Sequence, residues 1–369
     1  MGKVVVGLWS RPVESKYSSV GGTLCHLEQA VKLTREFAAT QGCGPSPGKV
    51  KSIFLAPEFL FTNRDKTATT AMTRIQRDVT LTNVMKIAQD SPSMLLVPGT
   101  IVFKESATAK HKSFWTGAEG GMTYGARATE NLKNAANPKA HNMLAPKAYT
   151  GRSVFQPHVT QESPSHQPDD LRAFYNTRAE ELDAMEKNEA IRQSKIDTFL
   201  VKNRTYVFFE GTKIFTYGKK CNCNDFYSDA EKGIFVPGKK EGVTTIDTLN
   251  VGIEICYDHD RGTLSKHLSG KVLDLHLILS AAVPGSDMSF MVKQGGYVLH
   301  ASSNPLFTGI AQKKLARELG PKFQNLRDQD PDTKVWKITE SREYEHVAPM
   351  REKEIDGGPL RLYEIMLPN

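Results

Sequence analysis

Val251-Gly252-Ile253-Glu254-Ile255-Cys256-Tyr257-Asp258 is the stretch of the chain from which both fold and chemistry can be inferred. Val251, Ile253 and Ile255 alternate with other residues, which is typical of a strand with a buried face. The alternation ends at Cys256, and polar residues follow directly. Because α/β enzymes carry much of their chemistry at strand ends, Cys256 is a candidate nucleophile. The alternative is a core cysteine, since a thiol also packs as a small hydrophobic group.

Strands and helices alternate in the first hundred residues. Short apolar runs predict strands over residues 4–8, 50–55 and 94–97. Apolar residues at helical spacing predict amphipathic helices over 24–39 and 74–88. A β-α-β-α-β order predicts an α/β fold in which helices cover a sheet.

Further strands are predicted in the second half of the chain, and Glu210-Gly211-Thr212 between two of them is typical of a hairpin turn. The last of these strands closes the chain. Their predicted ranges are 198–201, 206–210, 213–217, 244–249, 273–279, 297–302 and 360–366.

The regular pattern is interrupted between residues 104 and 196. This region is polar and rich in Gly, Pro, Ser and His, with helical character only over 171–191. We interpret it as an insertion in a single domain that spans 1–369 and has a C-terminal extension from about 312 to 369. Long insertions of this kind are often functional. The region either decorates the surface or covers the mouth of an active site.

Composition limits the possible classes of protein. Hydrophobic residues make up 39% of the 369 residues, so disorder is not expected. The net charge of +7 is not concentrated in one basic block, so a nucleic-acid partner is not expected either. No apolar run is long enough for a membrane span, and the first ten residues do not resemble a signal peptide. Five cysteines are too few, and odd in number, for a disulfide framework. We therefore expect a cytoplasmic protein.

A cysteine nucleophile needs a base and groups that stabilise an oxyanion. Glu58 directly follows a predicted strand and has apolar neighbours, which should raise its pKa and suit it as general base. Lys219 follows another strand, with Tyr217 two residues before it. Since both lie at strand ends, as Cys256 does, all three could meet at one edge of the sheet. Lys220 is an alternative to Lys219, although the pleat would direct it to the opposite face. A surface carboxylate and a solvated lysine turn are the simpler interpretations.

Taken together, four motifs in this order resemble the nitrilase superfamily of carbon–nitrogen hydrolases. Two strand ends, Pro98-Gly99-Thr100 and Leu279-Ser280-Ala281, also fit. The four motifs are Ala56-Pro57-Glu58, Tyr217-Gly218-Lys219-Lys220, Glu231 followed by Phe235-Val236-Pro237-Gly238, and the stretch from Val251 to Asp258.

The resemblance implies an α-β-β-α sandwich, usually paired into dimers. It also implies a triad in which Glu58 is general base, Lys219 stabilises the tetrahedral intermediate and Cys256 is nucleophile. Glu231 matches a second family glutamate. The Tyr257 N–H would be an oxyanion donor, and Tyr217 is a candidate for contact with the substrate.

This sequence also departs from the family pattern. Glu58 and Lys219 are 161 residues apart, and the insertion accounts for that distance. His259-Asp260-Arg261-Gly262 stands where the family has Arg-Phe-Pro-Glu, and Gln294-Gly295-Gly296 replaces the start of a family helix. The departures affect the segments that shape the substrate pocket and the dimer interface in the family.

The sequence predicts a thiol hydrolase that cleaves a non-peptide C–N bond without cofactor or metal. It favours a small amide or carbamoyl compound as substrate over a nitrile. An acyltransferase with the same triad and a non-catalytic binding protein are the alternatives. Two weaker interpretations are a zinc site at Cys221-x-Cys223 with His259 and His267, which lacks the usual spacing, and a Cys-His protease using His276, His300 or His111.

Overall fold

The computed structural model describes residues 2–12, 19–64, 69–106, 199–221, 233–268, 272–286, 289–314 and 343–367. Most of the predicted insertion, its helical stretch at 171–191, and Cys223 and Glu231 lie outside these residues. In the part that is described, no helix combines the length and apolar character needed to cross a membrane.

The described helices are α1 (Val20–Thr40), α2 (Arg74–Gln89), α3 (Tyr257–Asp260) and α4 (Thr263–Leu268). The strands are β1 (Gly2–Trp9), β2 (Ser52–Leu55), β3 (Asn63–Arg64), β4 (Thr69–Thr70), β5 (Met94–Val97), β6 (Thr100–Ser106), β7 (Phe199–Phe209), β8 (Thr212–Gly218), β9 (Gly233–Phe235), β10 (Val243–Ile246), β11 (Leu249–Ile255), β12 (Leu273–Ser280), β13 (Val292–Ser302), β14 (Gly309–Lys313), β15 (Tyr344–Val347), β16 (Arg351–Ile355) and β17 (Gly358–Leu367).

Two large sheets form the body of the protein. The first is nine-stranded, in the order β16-β17-β1-β2-β5-β7-β6, with β8 and β9 also pairing with β7. The second is six-stranded, in the order β10-β11-β12-β13-β14-β15. Strands β1, β2 and β5 run parallel in the first sheet, and β11, β12 and β13 run parallel in the second.

The two sheets face each other across a shared apolar core. Ile53 and Leu55 of β2 lie in this core with Ile253 and Ile255 of β11. The intervening Phe54 points to the opposite side, because side chains alternate across a strand. Removal of these apolar side chains from water stabilises the packing of the two sheets against each other.

Helices cover the outer face of each sheet. Leu27 of α1 and Val84 of α2 pack with Phe54 on the first sheet, and Leu264 of α4 packs with Ile278 on the second. Helix α2 begins with a capping box between Thr73 and Gln76, which satisfies N–H groups at its first turn. The predicted α/β fold with α-β-β-α layers is therefore confirmed, although the second sheet's helices are short.

Some predicted strand boundaries were wrong. The strands predicted at 198–201 and 206–210 are one continuous strand, β7, and the strand predicted over 244–249 is interrupted by a turn. At this turn Asp247 and Thr248 have φ of 45° and 70°. The hairpin turn at Glu210-Gly211 is confirmed, with φ of 49° and 68°. The closing strand is also confirmed, as β17, which pairs with β1.

Candidate active site

Cys256 stands at a sharp elbow between β11 and α3. Its backbone has φ 48° and ψ −106°, a conformation that is unusual for a residue with a side chain. The Cys256 N–H donates to the Leu279 carbonyl of the neighbouring strand at 2.8 Å, and α3 begins at the next residue. Strained backbone held in this way often marks a functional position.

Glu58 is held beside the same strand end. It follows β2 of the first sheet, and its N–H donates to the Ser280 carbonyl at 3.3 Å. Leu279 and Ser280 are consecutive at the end of β12, so one strand end anchors the backbones of both Cys256 and Glu58. The prediction that the site residues meet at one edge of a single sheet was wrong, because Glu58 and Cys256 come from opposing sheets.

Lys219 lies directly after β8 and is fully buried. Its Nζ donates to Glu58 Oε1 at 2.8 Å, and neither side chain is exposed to solvent. The neighbouring Lys220 instead directs its Nζ to Glu241 Oε2, also at 2.8 Å, near the surface. Of the two lysines that the sequence left open, Lys219 is the one that contacts Glu58.

Asn203 on β7 is a site residue that the sequence did not reveal. Its side-chain Nδ2 donates to Glu58 Oε1 at 2.8 Å, and its backbone carbonyl accepts the backbone N–H of Lys219 at 2.9 Å. One residue therefore holds both members of the ion pair. The sequence carries no signal for this role, because Asn203 stands between Lys202 and Arg204 in the polar middle of β7, and its burial is evident only in the structure.

Asp258 connects the cysteine elbow to the lysine segment. Its carboxylate accepts the Tyr217 hydroxyl at 2.8 Å, the Lys220 N–H at 3.0 Å and the Cys221 N–H at 2.7 Å. Burial raises the pKa of Asp258, while these hydrogen bonds oppose the rise. Burial and the neighbouring Asp258 together raise the pKa of Tyr217. The Tyr217 hydroxyl, predicted to face the substrate, is thus bonded to Asp258.

Close backbone contacts position the segment around Lys219. The Gly238 N–H donates to the Lys219 carbonyl at 2.9 Å. A Cβ at Gly238 would lie 2.0 Å from the Gly218 carbonyl oxygen, so no larger residue fits without movement. This contact gives a physical reason for the glycine in the Pro237-Gly238 motif. Glu231, which precedes this motif, lies outside the described residues.

A second glycine supports the Glu58 peptide. Gly99 has φ 78°, and a Cβ there would lie 2.4 Å from the Pro57 carbonyl oxygen. The next residue, Thr100, accepts the Phe59 N–H on its Oγ1 at 2.9 Å. Phe59 itself has φ 60°, so the chain turns sharply after Glu58 and needs these contacts.

Tyr257 opens α3 immediately after the nucleophile candidate. Its ring lies under the Arg261 guanidinium, whose carbon is 4.7 Å from the ring centroid, and its hydroxyl is hydrogen bonded to the same arginine. This arrangement occupies the side chain of Tyr257 with contacts to Arg261.

Glu254, His259 and His276 are the described residues whose ligand atoms are close enough to hold a metal. Glu254 Oε2 lies 2.8 Å from His259 Nδ1 and 3.1 Å from His276 Nε2. The three side chains are buried on the outer face of the second sheet. The zinc set considered from sequence takes other partners: Cys221 Sγ lies 3.8 Å from Thr263 Oγ1, and His267 pairs with Glu241.

Neither a protein-family model nor a curated protein matches this chain. Solved structures do match. An amidase from Nesterenkonia sp. AN1 has 12% identity and a TM-score of 0.38, covering 81% of this chain and 76% of its own. Nit3 from Saccharomyces cerevisiae has 12% identity and a TM-score of 0.38, covering 82% and 77%. Both belong to the nitrilase superfamily, which the sequence motifs resemble.

A glutamine-dependent NAD+ synthetase from Acinetobacter baumannii matches with 10% identity and a TM-score of 0.37. The match covers 76% of this chain but only 32% of the synthetase, so the chain spans about a third of that enzyme. Identities and TM-scores at this level are too low to transfer an activity.

Proposed function

We propose that this protein is a cysteine hydrolase that cleaves the C–N bond of a small amide or carbamoyl compound, with nitriles as less favoured substrates. The observation that carries the proposal is the buried contact between Lys219 and Glu58, formed at the strand end that also anchors Cys256. A carboxylate next to an ammonium group is held in its ionised form, as a general base must be.

In the first half of the reaction, Glu58 accepts the proton of the Cys256 thiol. The thiolate attacks the carbonyl carbon, and the electron pair of the C=O bond moves to oxygen. Lys219 and the Tyr257 N–H stabilise this oxyanion. As the tetrahedral intermediate collapses, Glu58 returns its proton to the nitrogen, the C–N bond breaks, and ammonia or an amine leaves a thioester on Cys256.

In the second half, Glu58 accepts a proton from water. The hydroxide attacks the thioester carbon, the C–S bond breaks, and the thiolate regains the proton from Glu58. The products are a carboxylic or carbamic acid and the original thiol. No cofactor takes part in these steps.

Asn203 and Asp258 support these groups without taking part in bond formation. Asn203 orients the carboxylate of Glu58, and Asp258 holds the backbone next to Lys219. We assign Tyr217 to the same supporting role, because its hydroxyl is bonded to Asp258. Glu58, Lys219 and Cys256 are all almost fully buried, which favours a small substrate.

The test is release of ammonia or amine from a panel of small amides, ureas and nitriles by the purified full chain. Cys256→Ala should abolish release, because the variant lacks the sulfur that supplies the attacking electron pair. Cys43→Ala is the matched control, since it removes another buried cysteine and should leave release unchanged. Turnover that persists in Cys256→Ala would refute the proposal, and release of ammonia or amine that requires an added amine or alcohol acceptor, with none in water alone, would identify an acyltransferase.

A further inference from the structure

The cluster of Glu254, His259 and His276 lies directly behind the candidate nucleophile, and we infer that it is a positioning device for Cys256. We refer to these three residues as the clasp. Glu254 precedes Cys256 by two residues and His259 follows it by three. The inference rests on the proposed function, since it assigns a role toward the nucleophile named there.

The clasp closes around the strained elbow. The hydrogen bond of 2.8 Å between Glu254 Oε2 and His259 Nδ1 connects the strand before Cys256 to the helix after it. The other oxygen of Glu254 accepts the Leu264 N–H at 2.7 Å, which fixes the start of α4. Cys256 at φ 48° is therefore held from both sides by one buried carboxylate.

The clasp also reaches the strand end that anchors the active site. His276 lies on β12, and its Nε2 is 3.1 Å from Glu254 Oε2. The same strand ends at Leu279 and Ser280, whose carbonyls accept the N–H groups of Cys256 and Glu58. The clasp thus couples the position of the elbow to the end of β12, whose Ser280 carbonyl anchors the backbone of Glu58.

Hydrogen-bond partners assign the protons on both rings. His259 Nε2 accepts the Ser286 N–H at 3.1 Å, and His276 Nδ1 accepts the Met291 N–H at 3.4 Å. A neutral imidazole has one donor and one acceptor nitrogen. Each ring therefore carries its proton on the nitrogen that faces Glu254, and both rings donate to the carboxylate.

The same assignment disfavours a metal at this place. A metal ligand must offer a lone pair, so His259 Nδ1 and His276 Nε2 would have to lose their protons to bind an ion. The proton would then move to the far nitrogen of each ring, where it would face a backbone N–H. Histidines that bind metals usually have the opposite outer contact, with the far N–H donating to an acceptor.

Electrostatics agree with an ionised carboxylate at Glu254. Burial opposes the ionisation of Glu254, yet the hydrogen bonds from His259 and His276 outweigh it and lower its pKa to about 2. Burial lowers the pKa of His276, against the attraction of Glu254. His300 lies near both rings, and burial and their proximity lower its pKa well below the usual value.

The experiment compares two substitutions at each histidine. His259→Asn and His276→Gln can place an amide N–H where the ring N–H donates to Glu254, whereas His259→Leu and His276→Leu have no donor. The readout is the iodoacetamide alkylation rate of Cys256 at pH 7 divided by the rate at pH 9.5. This ratio reports activation of the thiol and is insensitive to access alone.

We expect the ratio to fall about tenfold in both leucine variants, as for loss of one hydrogen bond to a charged group. The asparagine and glutamine variants should keep the ratio within about threefold of the wild type. Hydrogen exchange of the amides of 256–260 should rise in the leucine variants only. If the leucine variants do not fold, Glu254→Gln replaces them in the same measurements, because it removes the carboxylate to which both rings donate. Glu364→Gln on β17 is its matched control.

Wild-type ratios and exchange in both leucine variants would overturn the inference. So would one equivalent of zinc per chain in the purified protein, lost in all four histidine variants, because that pattern identifies a metal site. The proposed function fails separately, if wild-type Cys256 reacts no faster than Cys221 at pH 7. In that event, the hydrogen exchange of 256–260 still decides whether the clasp holds the elbow.

Discussion

The Nζ atom of Lys219 lies 2.8 Å from Oε1 of Glu58, and the two side chains are entirely shielded from solvent. Buried charges are costly unless they are paired and hydrogen bonded. Here Asn203 Nδ2 donates a second hydrogen bond to the same carboxylate oxygen. The free energy needed to remove both charges from water offsets most of their attraction, so such a pair adds little to the stability of the fold. We therefore attribute its presence to chemistry at Cys256.

Lys219→Met should destabilise the protein by about 3–5 kcal/mol, because it leaves the Glu58 carboxylate buried without its cation. It should also lower turnover of any substrate found by at least about 100-fold, as loss of an oxyanion donor does. Urea denaturation and steady-state kinetics measure the two effects. Lys220→Met is the matched control and should cost less than about 1 kcal/mol, since Lys220 pairs with the exposed Glu241. Equal effects at the two positions would contradict the assignment.

Asn203→Leu should slow alkylation of Cys256 at pH 7 about tenfold, because Glu58 loses a hydrogen bond that orients it. The rate is followed by peptide mass spectrometry after treatment with iodoacetamide. Asn250→Leu makes the same substitution at an exposed position of β11 and serves as control. An unchanged rate in Asn203→Leu, with the fold intact, would show that Asn203 does not orient the base.

Asp258→Asn should cost about 1–3 kcal/mol of stability, because an amide NH2 would then face the backbone N–H groups of Lys220 or Cys221. Thermal and urea denaturation measure the loss. Tyr217→Phe removes only the hydroxyl donated to Asp258 and should cost about 1 kcal/mol. Asp260→Asn, on the exposed side of α3, is the control. If Tyr217→Phe changed the preference among substrates without changing stability, the tyrosine would contact the substrate, as first predicted from sequence.

Gly238→Ala should destabilise the protein by about 1–3 kcal/mol or more, because the new methyl group would lie 2.0 Å from the Gly218 carbonyl oxygen. Relief of this clash must move the backbone of residue 238, whose N–H is hydrogen bonded to the Lys219 carbonyl, so alkylation of Cys256 should slow as well. Gly44→Ala is a matched control, since no atom lies within 4 Å of a Cβ built there. Comparable stability of the two variants would argue against the close approach.

The sequence predicted the residues that follow apolar strands, and missed those whose role depends on contacts across the fold. Glu58, Lys219 and Cys256 are recognisable because a functional residue type follows a buried run. Asn203 contacts Glu58 across 145 positions of the chain, and no local pattern reveals such a contact.

The strand errors have a similar cause. Asp247 and Thr248 form a turn without glycine, so the chain appeared continuous there, and the Asp247 carboxylate is stabilised by the distant Val50 N–H at 3.0 Å. The assignment of Glu58 and Cys256 to opposing sheets likewise depends on how the sheets pack, which strand patterns do not specify.

Acidification from pH 7 to pH 5 should lower the free energy of unfolding through the buried histidines. The pKa values of His276 and His300 are lowered in the folded state, so the unfolded chain takes up protons first, near pH 6.5. Their contribution to stability is therefore complete above that pH and declines as the pH falls below it. Glu254 acts only at lower pH, between its usual value and about 2.

His300→Gln should remove one of these histidines and reduce the dependence of stability on pH by about 1.4 kcal/mol per pH unit between pH 6 and 5. The measurement is urea denaturation at half-unit steps of pH. An m-value that does not change with pH serves as the check on two-state unfolding. His267→Gln, at an exposed position on α4, is the matched control. An equal change of slope in both variants would show that burial of His300 is not the cause, because the exposed histidine would then account for as much proton uptake.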